Sequence, residues 1–533
     1  MTYVVVIADK LDEGGLALLR EAPGIEVVPA IKNKKRLMEE LPRAHALIVR
    51  SETKVTPQLL AAAPHLKVIG RAGIGVDNID VEAATFRGIA VLNAPAANTI
   101  SAAEHAVGLL LALERRIPWA HESMRRGEWE RQRFQGFELR GKTLGIVGLG
   151  RIGAHVANIA RAIGLRLLVH DPFVTPARAQ EIGAELLPLD GLLARADIVT
   201  LHLPLTDETR HLIDRRRLGL MKPTAVFINT ARGGLVDEAA LVEAITGGKL
   251  AGAAVDVFEE EPLAADSPLR RLNQVILTPH LAASTAEAQE RVGLEIARSV
   301  RDALLRGDLT TAVNVPGISG ALIARLAPLL NLARRVGRLA TCISPGGVEA
   351  FEVEFGGADE GGSAKAVMLA ALEGALGAMG VGPVSLVNAA VLAEGRGIKL
   401  GRRVGPPEPG FEITVGVTVR AAGGEASVVG ALAGERSRVI RINNFAVDIS
   451  PEGYVLVLRN HDVPGVIGRV GTVLGDAAIN IGAYHLSRRR QKGDESLAAI
   501  VIDHPPPAGV LERLAELPDI IEVRFAPLAD GAA

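Results

Sequence analysis

The 533-residue sequence contains a single cysteine, Cys342. One thiol forms no intramolecular disulfide and no multi-thiolate metal centre, so no metal site is expected. Such scarcity fits a reducing, cytoplasmic setting. Aromatic residues make up only 3% of the chain, too few for the stacking platforms that hold single-stranded nucleic acid. Charge of one sign is also missing. With 59 basic and 61 acidic side chains the net charge is -2, and no overall field draws the chain to nucleic acid or to an anionic membrane. No apolar run approaches the roughly 18 residues of a membrane helix. The opening MTYVVVIADKLDEGG lacks the basic start of a signal peptide and reads as a first β-strand.

What is present is core-forming material. Hydrophobic residues account for 48% of the chain, and its length predicts three to four domains at roughly 150 residues each. The first ~315 residues alternate short apolar runs with helical stretches, the pattern of parallel βαβ units. YVVVIA, HALIVRS, LKVIGRAG and IAVLNAP form one strand series. LGIVGLG, RLLVHD, DIVTLHLP, AVFINTA, GAAVDVF and VILTPH form a second. Between them Ser101-Ala-Ala-Glu104 reads as a capping box that opens a long apolar crossing helix, and Ser284-Thr-Ala-Glu287 as one that opens a returning helix. From about Pro316 to Ser450, glycine-rich breaks separate alternating strands from the helix AVMLAALEGALGAM, with no catalytic constellation. The last ~80 residues read βαββαβ, a ferredoxin-like order. The expected fold is thus α/β. Two Rossmann-like or flavodoxin-like lobes with parallel sheets occupy 1–97 plus 290–315 and 98–289. A mixed α/β intervening domain, 316–450, and a ferredoxin-like domain, 451–533, follow.

Gly148-Leu-Gly150-Arg151-Ile152-Gly153 follows an apolar strand and opens a helix. These glycines suit a tight turn and close approach of backbone to a pyrophosphate, which the helix N-terminus faces. Asp171 ends the next strand, where a carboxylate accepts hydrogen bonds from ribose hydroxyls and repels a 2′-phosphate, so NAD is expected over NADP. Arg71-Ala-Gly-Ile74-Gly75 lacks the third glycine and reads instead as a loop presenting backbone N–H groups to an anionic substrate.

Arg232, Glu261 and His280 all fall at strand C-termini, where open α/β sheets bind ligands. A histidine shuttles protons near neutral pH, a carboxylate beside it holds the imidazole, and an arginine clamps a carboxylate through two parallel bonds. Read singly, each also suits a solvated surface position.

Together with GLGRIG, the segments INTARGGLVDE, DVFEEEP and TPHLAAST resemble the signatures of the D-isomer-specific 2-hydroxyacid dehydrogenases. The resemblance covers about residues 1–315. It implies Arg232 as substrate-carboxylate anchor, His280 as acid/base and Glu261 as its partner. It assigns Thr230, Ala231, His202 and Pro204 to the cofactor, and implies that Asp256 holds the nicotinamide carboxamide; a helix cap is the alternative reading of Asp256. Arg50, Arg71 and Arg131 match phosphate-binding arginines, with Arg133 an alternative to Arg131, and Ile74, Gly75 and Asn98 match substrate-loop positions. Three arginines suit a dianionic phosphate. The resemblance therefore implies oxidation of D-3-phosphoglycerate to 3-phosphohydroxypyruvate, the first step of serine biosynthesis. A glyoxylate or hydroxypyruvate reductase and a non-enzymatic NAD-sensing scaffold are the rival readings.

Asn460-His-Asp462-Val-Pro-Gly, with Asn480 after the next helix, resembles the ACT regulatory domain. That implies serine as an effector contacted by Asn460, Asp462 and Asn480, between paired copies of a homotetramer. Asn460 departs from the histidine or tyrosine of that family, and a docking domain without ligand is the alternative. The run from Arg488 to Lys492 reads as a solvated hairpin tip.

Overall fold

The computed structural model describes residues 2–315, 317–434, 436–488 and 495–528. Of the basic run read as a hairpin tip, only Arg488 falls within the described residues.

The first sheet contains β1 (Tyr3–Ile7), β2 (Ile25–Pro29), β3 (Ala46–Val49), β4 (Val68–Arg71) and β5 (Ala90–Leu92), all parallel, in the order β2-β1-β3-β4-β5. Helices cover both faces, which is why ALIV of β3 is apolar throughout and buried throughout. Leu37, Leu41 and Leu60 pack on one face. Val292, Ile296 and Val300 of the returning helix Ala286–Arg306 pack on the other.

The second sheet contains β6 (Thr143–Val147), β7 (Arg166–His170), β8 (Ala184–Leu186), β9 (Ile198–Leu201), β10 (Val226–Asn229), β11 (Gly252–Val255) and β12 (Val275–Leu277). It is parallel, in the order β12-β11-β10-β9-β6-β7-β8. Strand order reverses between β6 and β9, the topological switch point at which doubly wound sheets bind dinucleotides. The crossing helix Thr99–Glu114 buries Ala103, Val107 and Leu110 against this sheet.

Sequence reasoning passed over β2 and β8. The first is only partly buried and the second has three residues, so neither carries a strong apolar signal. Both capping boxes are also corrected. The crossing helix has Asn98 as its N-cap and starts at Thr99, leaving Ser101 inside it with its hydroxyl donating to the Asn98 carbonyl. The returning helix is capped by Thr285, not Ser284, through the Ala288 amide. Cap candidates one to three residues apart are not distinguishable from composition alone.

A mixed sheet follows: β13 (Val348–Gly356), β14 (Lys399–Gly405), β15 (Ile413–Ala421), β16 (Gly424–Ala433), β17 (Arg436–Ile442) and β18 (Phe445–Ile449), in the order β14-β13-β15-β16-β17-β18. Phe351, Val353 and Phe355 point into a core shared with helices Gly320–Cys342 and Ser363–Ala378. The intervening glutamates face away, which explains the alternation in the sequence.

The final sheet, β19 (Tyr454–His461), β20 (Ile481–Arg488), β21 (Glu495–Ile502) and β22 (Ile520–Pro527), is antiparallel in the order β20-β21-β19-β22. Leu456 and Leu458 of β19 pack under its own helices Val466–Asp476 and Val510–Ala515. Val455 and Val457 instead join the core containing Leu332 and Val336 of helix Gly320–Cys342. The terminal sheet is therefore covered on both faces.

Candidate active site

The helix Arg151–Ala162 begins directly at Gly150, with no side chain capping its first turn. Gly148 adopts φ +95°, and a Cβ there would meet the His202 carbonyl at 2.5 Å. At Gly150 a Cβ would enter open space, the room that an approaching phosphate needs. Ile152 and Gly153 complete the turn, and the Gly153 Cα rests against the Gly148 carbonyl. Asp171, just past β7, accepts the Leu149 amide at 2.8 Å through Oδ2 and the Phe173 amide at 2.9 Å through Oδ1. It thus fixes the glycine loop, and each oxygen keeps a lone pair for a ribose hydroxyl.

Across the cradle, His202 Nε2 is 3.0 Å from Thr200 Oγ1, and burial pushes the ring down to about 4, so it is neutral. The Pro204 carbonyl accepts the Thr209 hydroxyl at 2.8 Å. The Ala231 amide is taken by Asn229 Oδ1, whereas Thr230 Oγ1 is buried with no hydrogen-bond partner. Asn98 Oδ1, Thr99 Oγ1 and Arg71 Nε are likewise buried without partners. Buried polar atoms are normally paired, so this group, gathered at strand and helix ends, marks where a polar ligand fits. The cradle, the uncapped helix and the Asp171 carboxylate fit a dinucleotide.

His280 lies just past β12 in the left-handed region, φ +53°. Its Nδ1 is 2.8 Å from Glu261 Oε2, and Glu261 Oε1 accepts the Phe258 amide at 3.1 Å. Burial acts to raise the Glu261 carboxyl, but the His280 ring and the Phe258 amide outweigh it and hold it below the usual carboxylate range. Nε2 of His280 has no protein partner among the described residues and remains available to a substrate. Asp256, at the end of β11, is fully buried. It caps no helix. Its carboxylate accepts the Thr278 hydroxyl at 2.5 Å and the Leu281 and Ala282 amides at 2.8 and 3.0 Å, while its carbonyl accepts the His280 amide at 2.9 Å. Asp256 therefore sets the backbone that carries His280. His105 of the crossing helix stands 3.2 Å from the same carboxylate.

Arg71 and Arg232 converge at the other side of the cleft. Burial, then the like charges of Arg232 and Arg50, pull Arg71 down to about 10. Arg50 is anchored by its backbone: the amide donates to Asp9 Oδ2 at 2.6 Å and the carbonyl accepts Asn78 Nδ2 at 2.6 Å, leaving its guanidinium without a protein partner among the described residues. A Cβ at Gly75 would collide with the Arg232 guanidinium and displace it, so the glycine lets that guanidinium lie directly against the loop. The amides of Ile74 and Gly75 donate to no protein group among the described residues.

Arg131 is not brought to this cluster within one chain. It lies on the exposed turn Arg131–Phe134 with no ion pair among the described residues, whereas the neighbouring Arg133 is tied to Glu130 at 3.0 Å. Asp9, Asp77, Asn78, Thr99 and His105 were not legible as site residues. They act through loop contacts or orphaned atoms that leave no spacing signal. In the terminal domain Asn460 is buried and donates to the His461 carbonyl. Asp462 pairs with Arg488 at 3.2 Å, and Asn480 donates to Asp503 at 2.8 Å.

Three family models match in succession. They are the D-isomer specific 2-hydroxyacid dehydrogenase, NAD binding domain, over residues 107–282, the D-3-phosphoglycerate dehydrogenase intervening domain over 325–443, and the ACT domain over 454–519. The chain is 40% identical to D-3-phosphoglycerate dehydrogenase of Synechocystis, over 97% of this chain and 93% of the relative. It is 43% identical to that of Mycobacterium tuberculosis, over 99% of both. The chain belongs to the D-3-phosphoglycerate dehydrogenase family. A solved D-lactate dehydrogenase from Aquifex aeolicus, complexed with NAD and lactic acid, superposes with a TM-score of 0.52 at 32% identity, over 58% of this chain and 97% of that one. The likeness to this shorter dehydrogenase shows that the dehydrogenase part of the family is built on a shared two-lobed unit, to which the long members add the intervening and ACT domains. Among the described residues no helix is long and apolar enough to cross a membrane, and no cluster of metal-ligating side chains occurs.

Proposed function

We propose that the chain oxidises D-3-phosphoglycerate to 3-phosphohydroxypyruvate with NAD, as a cytoplasmic enzyme that opens serine biosynthesis. The observation that carries this reading is the convergence of Arg50, Arg71 and Arg232 on one side of the cleft that holds the His280–Glu261 pair. A substrate with a carboxylate at one end and a phosphate at the other uses all three; lactate or glyoxylate leaves two buried or half-buried cations unmatched.

Bound NAD supplies the hydride acceptor, its nicotinamide C4. Arg232 and the Ile74 and Gly75 amides hold the substrate carboxylate, with Asn98 beside them. Arg50 and Arg71 hold the phosphate; Arg131, with Arg133 as its alternative, is a third candidate that one chain does not bring to them. His280 Nε2 takes the C2 hydroxyl proton as the C–H bond breaks, and Glu261 stabilises the imidazolium formed at Nδ1. The carboxylate must be ionised for that role, which agrees with its lowered position. Residues 1–97 plus 290–315 form the substrate lobe and 98–289 the NAD lobe; closure of the two excludes water. Residues 316–450 form the intervening domain and 451–533 the ACT domain.

Serine is proposed as effector, in a homotetramer. Strand register supports the need for a second copy. β19 and β20 both run antiparallel to β21, so Asp462, after β19, and Asn480, before β20, lie at opposite ends of the sheet. Strands of eight residues put them roughly 25 Å apart, too far for one amino acid within one chain. β20 is an edge strand, and two-fold antiparallel pairing of that edge would bring Asn480 of one copy beside Asp462 of the other. Exposed Ile117, Met124, Trp129 and Phe137 near the Arg131 turn offer a second apolar surface for association. NADH formation by the purified chain on D-3-phosphoglycerate tests the proposal; absence of turnover with that substrate contradicts it.

A further inference from the structure

We infer that Asp77 is a positioning residue for the reaction proposed above: it fixes the direction of the Arg232 guanidinium across the cleft and offsets the positive charge gathered there. Asp77 belongs to the loop after β4, and Arg232 to the loop after β10, so their contact joins the two parallel sheets. Arg232 Nε donates to Asp77 Oδ2 at 2.9 Å, and Nη1 donates to the Ala231 carbonyl at 2.6 Å. With Nε and Nη1 committed, the plane of the guanidinium is set and Nη2 is left against Gly75, beside the unpartnered amides. Asp77 does not swing freely, because the next residue is stitched down. Asn78 Nδ2 donates to the carbonyls of Arg50 and Thr53, both at 2.6 Å.

Two consequences separate. An arginine that has lost its Nε partner keeps its charge but not its aim, and a directed hydrogen bond from Nη2 depends on aim. Asp77 also acts on Arg71 as the leading opposite charge, ahead of Asp9. Removing it leaves the three arginines less compensated and more attractive to any anion. Loss of orientation and gain of anion affinity move in opposite directions, and a merely structural role would produce neither pattern.

The test uses the full chain carrying Asp77→Ala or Asp77→Asn; the side chain is half exposed, so folding is preserved. Turnover is measured with NAD and D-3-phosphoglycerate, and inorganic phosphate binding by calorimetry. Asp77→Ala is expected to lower kcat/KM at least about tenfold. Asp77→Asn, which keeps an acceptor oxygen for Nε, is expected to retain more activity than Asp77→Ala. Both variants are expected to bind phosphate about two- to fivefold more tightly, because both lose the charge. In an Arg232→Lys background, Asp77→Ala is expected to change kcat/KM by less than about twofold. Asp77→Ala with kcat/KM within twofold of the parent, or an undiminished effect in the Arg232→Lys background, overturns the inference. If the unaltered protein does not turn over phosphoglycerate, the proposed function falls by itself, and phosphate affinity decides the inference: equal binding by parent and variants overturns it.

Discussion

Glu261 Oε2 lies 2.8 Å from His280 Nδ1, and the other Glu261 oxygen is held by the Phe258 amide at 3.1 Å. The carboxylate is therefore fixed from both ends and the imidazole has one tautomer to offer at Nε2. His280→Ala is expected to reduce turnover by roughly 100-fold or more while NAD binding persists. Glu261→Gln removes the anion that stabilises the imidazolium. Proton uptake at Nε2 then lacks its counter-charge, so kcat/KM is expected to fall by about tenfold or more in that variant. A kcat/KM within twofold of the parent would separate Glu261 from the acid/base step. Because the Glu261 carboxyl lies below its usual range in the fold, the pair adds stability above that range. The contribution is lost as pH falls through the lowered value.

Arg71 carries a partly buried charge that the proposed phosphate would match. Its position near 10 means that the folded state disfavours the cation relative to the unfolded chain throughout the neutral range. Arg71→Met is expected to stabilise the ligand-free protein by about 1 to 3 kcal/mol, read as a higher Tm, while weakening binding of phosphoglycerate. Inorganic phosphate should raise the Tm of the parent and not of the variant. A variant less stable than the parent would mean that Arg71 serves the fold.

Cofactor choice is proposed to rest on Asp171. Its two oxygens face the glycine loop and the Phe173 amide, so it cannot withdraw from a 2′-phosphate. NADP is expected to support far lower kcat/KM than NAD, and Asp171→Ser to narrow the gap. Comparable turnover with both nucleotides in the parent would count against this account.

Regulation is best probed by point substitutions. Deleting the terminal domain would strip Val455 and Val457 from a core they share with Leu332 and Val336, and would confound a lost effector site with a damaged neighbour. Serine is expected to inhibit without competing with phosphoglycerate. Asn480→Ala, on an exposed side chain, is expected to weaken that inhibition and leave uninhibited turnover unchanged. Absence of serine binding at millimolar concentration would reduce the ACT domain to a docking role.

Much of this was legible in the sequence because it is written in periodicity and local chemistry. The buried parallel strands declare themselves as apolar runs, and the turn Gly148–Gly153 declares its shape through three glycines at fixed spacing. Arg232, Glu261 and His280 sit at strand ends in recognisable segments. What stayed hidden depends on contacts between distant segments. Asp77 is one acid in a loop until Arg232, 155 residues away, reaches its carboxylate. His105 looks like part of an apolar helix until Asp256 is seen beside it. The helix starts were misplaced by three residues and by one because Ser101 and Ser284 compete with Asn98 and Thr285 for the same cap. The double burial of the terminal sheet is likewise invisible in β19, whose run YVLVL is apolar on both faces for reasons the sequence alone does not disclose.

The most direct measurement compares kcat/KM for D-3-phosphoglycerate with kcat/KM for unphosphorylated D-glycerate, in the parent and in Arg50→Ala. Charge-assisted bonds to the phosphate have no counterpart in the smaller acid. The account predicts a preference of at least about 100-fold for the phosphorylated substrate in the parent, shrinking by about tenfold or more in Arg50→Ala, with D-glycerate turnover hardly altered. Equal kcat/KM for the two substrates in the parent, or an equal loss on both in the variant, would contradict it.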